Sequence, residues 1–437
     1  MAIARHSTVS LTYNGITATQ MEEYIVSFKY TDVSSGSSDN ITVELSDKDR
    51  RWINSWFPQK GDKLKPTLIK HRWDQDDQSY SLSCGTFVID DFSFKGNPIQ
   101  CTIEAAAIPS TSGFKVTERT YTYENTTLKN IGLAIAKRNG LSLHYEAKTV
   151  SIENVVQDKK SDCAFYNDLI VKYGLALKIY NDRLVVFDEA IYEAKPVVAT
   201  LTESDFEPGW SWNTSLAGTY TGVRYSYTHA QKNKTFTVNV GSGSRILTCD
   251  DEASNLTEAT LIALAKVNNA NKNTTTMKIT LRTPARTILA TNCVKIQGLG
   301  KLDGKYYVES VTLSIGSSGT KSTLNLRKVE NRLTVVPAKS KTSSSTKAAT
   351  TTTSTNVKAS SSTAEKKKQT VVFKKGDKVR VTKGAKTYPG GSLASFVYTT
   401  IYDVIQVGGK DLPDDRIVIG QGRIVVAAVK AADLYKA

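Results

Sequence analysis

The chain has 437 residues, enough for two to four domains at roughly 100–200 residues each. Hydrophobic residues make up 40% and charged residues 23%, so most of it can bury a core. Lysine and arginine number 57 against 42 aspartate and glutamate, a net charge of +15, and no stretch reaches the roughly 18 apolar residues of a membrane-spanning helix.

Residues 1–115 read as a β domain of short strands. Ser7 to Tyr13 alternates polar and apolar side chains, and Asn14-Gly15 supplies a hairpin turn. Met21 to Tyr30, Asn40 to Leu45, Leu64 to His71, Gly85 to Phe94 and Ile99 to Ala106 continue the pattern, punctuated by Gly61-Asp62 and Gly96-Asn97-Pro98. Strands at this spacing predict a sandwich or small barrel.

Residues 116–200 change period and predict an inserted α/β domain. Thr127 is placed to cap a helix running to Asn139, with Leu128, Ile131 and Ile135 inward. Gly140 stops it and Leu141 to Tyr145 follows as a strand. The unit then recurs: Ser161 or Asp162 caps a helix with Phe165, Leu169 and Ile170 inward, Gly174 ends it, and Leu175 to Tyr180 is a strand. Asn181-Asp182 turns the chain into Leu184 to Phe187.

Residues 201–337 return to β structure as a second β domain. Gly218 to Tyr227 and Lys234 to Val240 predict a hairpin turning near Lys232-Asn233. Thr257 to Asn271 predicts a helix with Leu261, Leu264 and Val267 on one face, and Val311, Leu313 and Ile315 alternate before the turn Gly316-Ser317-Ser318-Gly319.

Residues 338–370 hold 17 Ser or Thr, no aromatic residue and seven Lys against one Glu, so they cannot bury enough apolar surface to order themselves and read as a flexible linker. Residues 371–437 predict a self-contained β module with strands at Lys378 to Val381, Ile401 to Val407, Arg416 to Ile419 and Ile424 to Val429. The positive excess is +6 in the linker and +5 in this module, leaving only +4 in residues 1–337.

The chemistry-bearing residues form no recognised catalytic motif. His6, His71, His144 and His229 share no metal-ligand spacing, and the chain carries no nucleophile elbow and no Walker loop. Gly241-Ser242-Gly243-Ser244 lacks the lysine and the helix of a phosphate cradle and reads as a turn. The five cysteines are dispersed and odd in number, which fits reduced thiols in a chain made in the cytoplasm, and MAIARHSTVSLTYNG lacks the apolar stretch of a Sec signal. Asp76-Asp77, Asp90-Asp91 and Asp250-Asp251-Glu252 read as turn and capping residues. The expectation is therefore no catalytic residue, no cofactor and no metal. Two aromatic groups remain. Trp52, Trp56 and Phe57 suggest a subunit interface, because aromatic side chains are enriched there. Tyr388, Phe396 and Tyr398 flank the glycine-rich stretch Pro389-Gly390-Gly391 and suggest a wall- or partner-binding face.

Several phrases, in order, resemble one family. Gly85-Thr86-Phe87-Val88-Ile89-Asp90-Asp91 and Cys101-Thr102-Ile103-Glu104-Ala105-Ala106 are similar to the first β domain of the phage late control D family. Thr127-Leu128-Lys129-Asn130-Ile131-Gly132-Leu133-Ala134-Ile135-Ala136 and Asp162-Cys163-Ala164-Phe165-Tyr166-Asn167-Asp168-Leu169 resemble its inserted domain. Trp212-Asn213-Thr214-Ser215 and Tyr220-Thr221-Gly222-Val223-Arg224-Tyr225 resemble the return strand. The resemblance spans about 1–335, and 371–437 is similar to SH3-like modules of Gram-positive phage and cell-wall proteins.

The fold so implied is mainly β with an inserted α/β domain: two β-barrel-like hub domains plus a C-terminal SH3-like β-barrel. The function implied is that of a baseplate hub in a contractile phage tail or tailocin. Such a hub is a homotrimeric ring that continues the tail tube and meets the spike or tip protein and other baseplate components. DNA would pass only through the lumen, and the chain would reside in the particle after synthesis in the host cytoplasm. Two rival readings stay open: a tail-associated cell-wall lysin or peptidoglycan-binding protein, and a nucleic-acid binder using the lysine-rich end.

Overall fold

A computed structural model describes residues 5–17, 19–73, 78–108, 112–229, 233–284, 288–334 and 373–436, except 389–392, 394, 410, 411, 422 and 423. The linker expected at 338–370 lies outside them. The chain divides into a body, 1–341, and a terminal unit, 342–437.

The body is mainly β with an inserted α/β unit. Fourteen strands join in one sheet. From one end its main path runs Ser211–Thr214, Thr275–Leu281, Gly319–Lys328, Gly304–Gly316, Ile25–Val33, Asn40–Ser46, Gln100–Ala106, Phe87–Lys95, Lys63–His71, His6–Tyr13 and Ile16–Thr17. The pairing of Ile25–Val33 with Gly304–Gly316 joins the strands of 1–115 to those of 201–337. Alternation puts Phe28, Tyr30, Ile41, Val43, Val311 and Leu313 inside, in a core that draws on both segments.

A second core lies under the insert. Helix Leu128–Arg138 is capped by Thr127, whose side chain accepts from the Asn130 amide, and Gly140 closes it with φ +68°. Helix Asp162–Lys172 is capped by Ser161. That leaves the fully buried Asp162 carboxylate to pair with Arg138 at 2.9 Å and Arg119 at 3.6 Å. A three-stranded sheet, Ser142–Glu146, Arg183–Phe187, Ala176–Tyr180, packs beneath, its hairpin turned by Asn181 and Asp182, both with positive φ. A second three-stranded sheet, Lys234–Gly241, Gly222–His229, Ile246–Cys249, and helix Leu256–Asn271 share this core.

Three expectations change. The strand read from Met21 begins at Ile25, because Met21 and Tyr24, both buried, sit three apart around Glu22-Glu23 and close a helical turn, Thr19–Glu22. Helix Leu256–Asn271 buries Ala259, Ile262, Ala263 and Val267, while Leu261 is 37% exposed. Of the expected face, Val267 is buried and Leu264 packs against the core, while the small side chains let the helix approach closely on a face turned away from Leu261. The antiparallel ribbon Glu118–Thr127 with Ser151–Ser161 carries mostly exposed side chains, so no hydrophobic alternation announced it. The expected turn at Lys232-Asn233 lies partly outside the described residues, and Asn233 has φ +43°.

The sheet and the insert are tied by buried charge. Arg327, 1% exposed, reaches Glu193 at 2.5 Å and Glu189 at 3.4 Å on helix Glu189–Ala194, and also Glu309 on the neighbouring strand. Arg332 grips Glu193 through two nitrogens at 2.7 and 2.8 Å, and Lys272 lies 3.2 Å from Glu189. Burial pushes the Glu193 carboxyl up, but the Arg332 hydrogen bonds and the Arg327 and Arg332 charges bring it below its ordinary range.

The terminal unit is a five-stranded antiparallel sheet in the order Ile424–Lys430, Leu412–Gln421, Tyr402–Gly409, Lys378–Val381, Leu434–Lys436. Its own core contains Phe373, Val379, Val381, Tyr402, Ile417 and Val429.

Arg327→Met leaves two buried glutamates short of a cation. The expected cost is about 3 kcal/mol or more, read as a lower urea midpoint for the body. Adding Glu193→Leu restores the balance of charge and should recover most of that loss.

Candidate functional site

A partly exposed aromatic surface on the body is built by a loop and a strand. After strand Asn40–Ser46 the chain turns on the buried Asp47, whose carboxylate accepts from the amides of Trp52 at 2.9 Å and Ile53 at 3.1 Å. Trp52 is thereby driven inward and is 1% exposed. Trp56 stands edge-on to Trp52 and to Tyr24, each at 5.5 Å, and the Arg51 guanidinium lies 4.9 Å over its ring. Phe57 is 50% exposed and stacks on Phe94 at 5.7 Å while meeting Phe92 edge-on at 5.3 Å.

Phe92 and Phe94 were not singled out in the sequence, although their alternation was visible. A bulge between Ile89 and Asp91 shifts the register, so Phe92 pairs with Ile103 and Phe94 with Cys101. Both phenylalanines therefore stay on the core face where the strand runs beyond the core. The Asp90-Asp91 corner is this bulge.

Beside the cluster opens a cavity of about 610 Å³ lined by Tyr13, Ile16, Met21, Trp52, Trp56 and Phe57. Ile16 at its rim is 75% exposed. At its floor Asp62 accepts from the Tyr13 hydroxyl, from Asn14 at 2.9 Å and from the Gln59 amide at 3.2 Å. Burial opposes ionisation there, yet the hydrogen bonds from Asn14 and Tyr13 hold this carboxyl below its ordinary value. The hydrogen bonds of this carboxylate are already made within the chain, and the rest of the cavity offers mixed apolar and neutral polar surface. That suits a protein contact better than an ionic ligand. Of the three residues expected at an interface, Trp56 and Phe57 present surface. Trp52 supports them from inside the core.

The expected face on the terminal unit differs. Tyr388 is half-buried, its hydroxyl donating to Asp415 at 2.8 Å and its amide to the Ala428 carbonyl at 2.7 Å. It is therefore held in place instead of riding on a glycine hinge, and Pro389, Gly390 and Gly391 lie outside the described residues. The Tyr398 hydroxyl donates to the Ala385 carbonyl at 2.8 Å and its ring packs on the core. The Phe396 side chain lies outside the described residues. Lys386, Tyr388, Lys430 and Asp433 line a cavity of about 390 Å³.

The remaining chemical candidates are structural. Cys84 and Cys101 are buried, and burial pushes both thiols up to about 12. Burial likewise raises Cys163, Cys249 and Cys293, so none is a ready nucleophile. Asp251 pairs with Lys266 at 2.5 Å. Asp76-Asp77 lies outside the described residues. In Gly241-Ser242-Gly243 both glycines have positive φ, and a Cβ on Gly241 would sit 2.2 Å from the Thr221 carbonyl oxygen, so close backbone approach accounts for the glycine. The Trp210 and Trp212 rings pack against the first core, and the Trp212 indole donates to the Tyr306 hydroxyl at 3.1 Å. His6 and His71 pair across two strands with stacked rings 4.5 Å apart, a neighbourhood that their spacing in the sequence did not disclose. No cluster of three metal-ligating side chains occurs among the described residues.

No protein-family profile and no curated protein matches the chain. Solved structures do. The 43 kDa tail protein of prophage MuSo2 from Shewanella oneidensis superposes with a TM-score of 0.57 at 12% identity, covering 74% of this chain and 98% of that one. The tail protein from Neisseria meningitidis MC58 gives 0.57 at 12% identity, covering 74% and 97%. The chain shares its fold with these two tail proteins.

The two neighbouring tryptophan-loop positions should respond differently. Trp52→Ala empties the core and is expected to cost about 3–5 kcal/mol. Phe57→Ala removes a half-exposed ring and should cost less than about 1.5 kcal/mol. Urea denaturation of both variants checks the assignment; equal losses would contradict it.

Proposed function

We propose that this protein is a structural baseplate hub of a contractile phage tail or tailocin. In this reading it forms a homotrimeric ring that continues the tail tube and connects it to the spike or tip protein. The observation that carries the reading is the shared fold, which takes in nearly the whole length of two tail proteins. The aromatic face supports it. Phe57, Phe92, Phe94 and Trp56, with the mixed polar and apolar cavity beside them, form a surface that a neighbouring protein would cover, and such aromatic patches mark protein contacts.

The charge distribution fits the same reading. The body is close to balanced, and the surplus sits in 338–437. The terminal unit, read as an SH3-like module, would carry its charge and its Tyr388 cavity to the spike, another baseplate protein or peptidoglycan. The protein would reside in the particle after synthesis in the host cytoplasm, with DNA only passing through the lumen. The lysin alternative has no observation in its favour: burial raises the thiols, Asp90-Asp91 forms a strand bulge and Asp251 is ion-paired with Lys266.

Two measurements test the proposal. Light scattering on the purified chain should give three copies, and negative-stain images of tail tips should show the protein as a ring. A strictly monomeric chain that is also absent from tail tips would overturn the reading. Phe57→Ser should weaken association at least tenfold, about 1.4 kcal/mol, while leaving the far-ultraviolet circular dichroism unchanged.

A further inference from the structure

A second cluster of buried charge joins the sheet to the insert and is not balanced. Lys178, on strand Ala176–Tyr180, extends its ammonium between two carboxylates of the sheet. It donates to Asp32, to Asp39 at 3.2 Å and to the Val33 carbonyl at 2.6 Å. Asp39 is 0% and Asp32 5% exposed. The second oxygen of Asp32 accepts from the Ala290 amide at 2.8 Å, so that carboxylate is fully used. One oxygen of Asp39 accepts from the Val33 amide at 3.0 Å and from Lys178, while the other is buried without a partner.

The groups facing this triad add no positive charge. Tyr30 and Cys84, both buried, and the half-buried Tyr180 surround it, and each is pushed up by burial first and then by the two aspartates. Two carboxylates against one ammonium leave a net negative charge in a water-poor junction. The free oxygen of Asp39 is the place where a proton would relieve it.

We propose that Asp32, Asp39 and Lys178 form a proton-sensitive fastening that holds the insert against the sheet more firmly when the triad takes up one proton. The segments it fastens are visible. The Gly36 amide donates to the Leu177 carbonyl at 3.3 Å, Ser38 bridges to Ile179, and the Thr86 hydroxyl donates to Asn181 at 3.0 Å. Burial, offset partly by Lys178 and reinforced by Asp32, raises Asp39 from 3.8 to about 6. The folded junction therefore binds more protons than the open one between about pH 4 and 6. Its stability is greatest at the acid end of that window and falls as the pH rises through 6.

Hydrogen exchange of peptides covering 34–39 and 176–182, corrected for the intrinsic pH dependence of exchange, tests this. Protection should increase about tenfold from pH 7 to pH 5 in the natural chain. Asp39→Asn, which keeps the shape without the charge, should be protected at both values. A parallel pH dependence in chain and variant would overturn the proposal. Where the variant fails to fold, a carbon-13 titration of the Asp39 carboxyl in the natural chain decides. A midpoint near 6 supports the fastening, and one near 4 refutes it.

Discussion

The architecture depends on keeping charge inside. Arg327 lies on an interior strand of the long sheet, yet its guanidinium is ion-paired with glutamates from the helix that ends the insert and from the adjoining strand. Arg332 and Lys272 complete a set of three cations and three carboxylates. An isolated ion of this size in the interior would cost several kcal/mol, and only mutual pairing with good geometry offsets it. That condition is met in one relative arrangement of strand, helix and chain exit. The network therefore contributes position more than net stability. Apolar contacts alone would tolerate sliding; a planar guanidinium facing three carboxylates does not.

Local structure was legible wherever a single residue type has a local consequence. Thr127 and Ser161 cap their helices, Gly140 and Gly174 end them, and Asn181-Asp182 turn a hairpin, because each effect is decided within a few residues. What escaped depends on distant partners. The inward face of helix Leu256–Asn271 follows Ala259 and Ala263 because of what packs above it, and Leu261 was a poorer guide than small residues that permit close approach. The exposed ribbon of 118–127 with 151–161 lacks hydrophobic alternation because neither strand buries a full face. Asp162 could be named as a capping candidate, but its pairing with Arg119 and Arg138 needs the fold.

The aromatic site shows the same division more sharply. Trp52, Trp56 and Phe57 could be picked out by type, but direction is a tertiary property. Asp47 turns Trp52 inward, and the register shift after Ile89 delivers Phe92 and Phe94 to Phe57 from another strand. A run of aromatics was read as one surface, and the structure divides it into a buried support and an exposed face. Likewise, Tyr388 and Tyr398 were chosen by type for a wall- or partner-binding face, and only the fold shows their hydroxyls donating to Asp415 and to the Ala385 carbonyl.

The charge that first invites a nucleic-acid reading has two physically different components. The surplus is borne by lysines and arginines of 338–437, and charge that stands in water is screened by salt. The charges that matter to the body are few, buried and nearly compensated, and they act over hydrogen-bond distances. One imbalance inside is the extra carboxylate beside Lys178, and it sits where the insert meets the sheet. Charge that stands in water can choose a partner without affecting the fold. An unbalanced buried charge couples the fold itself to the proton concentration, because the only relief open to it is protonation.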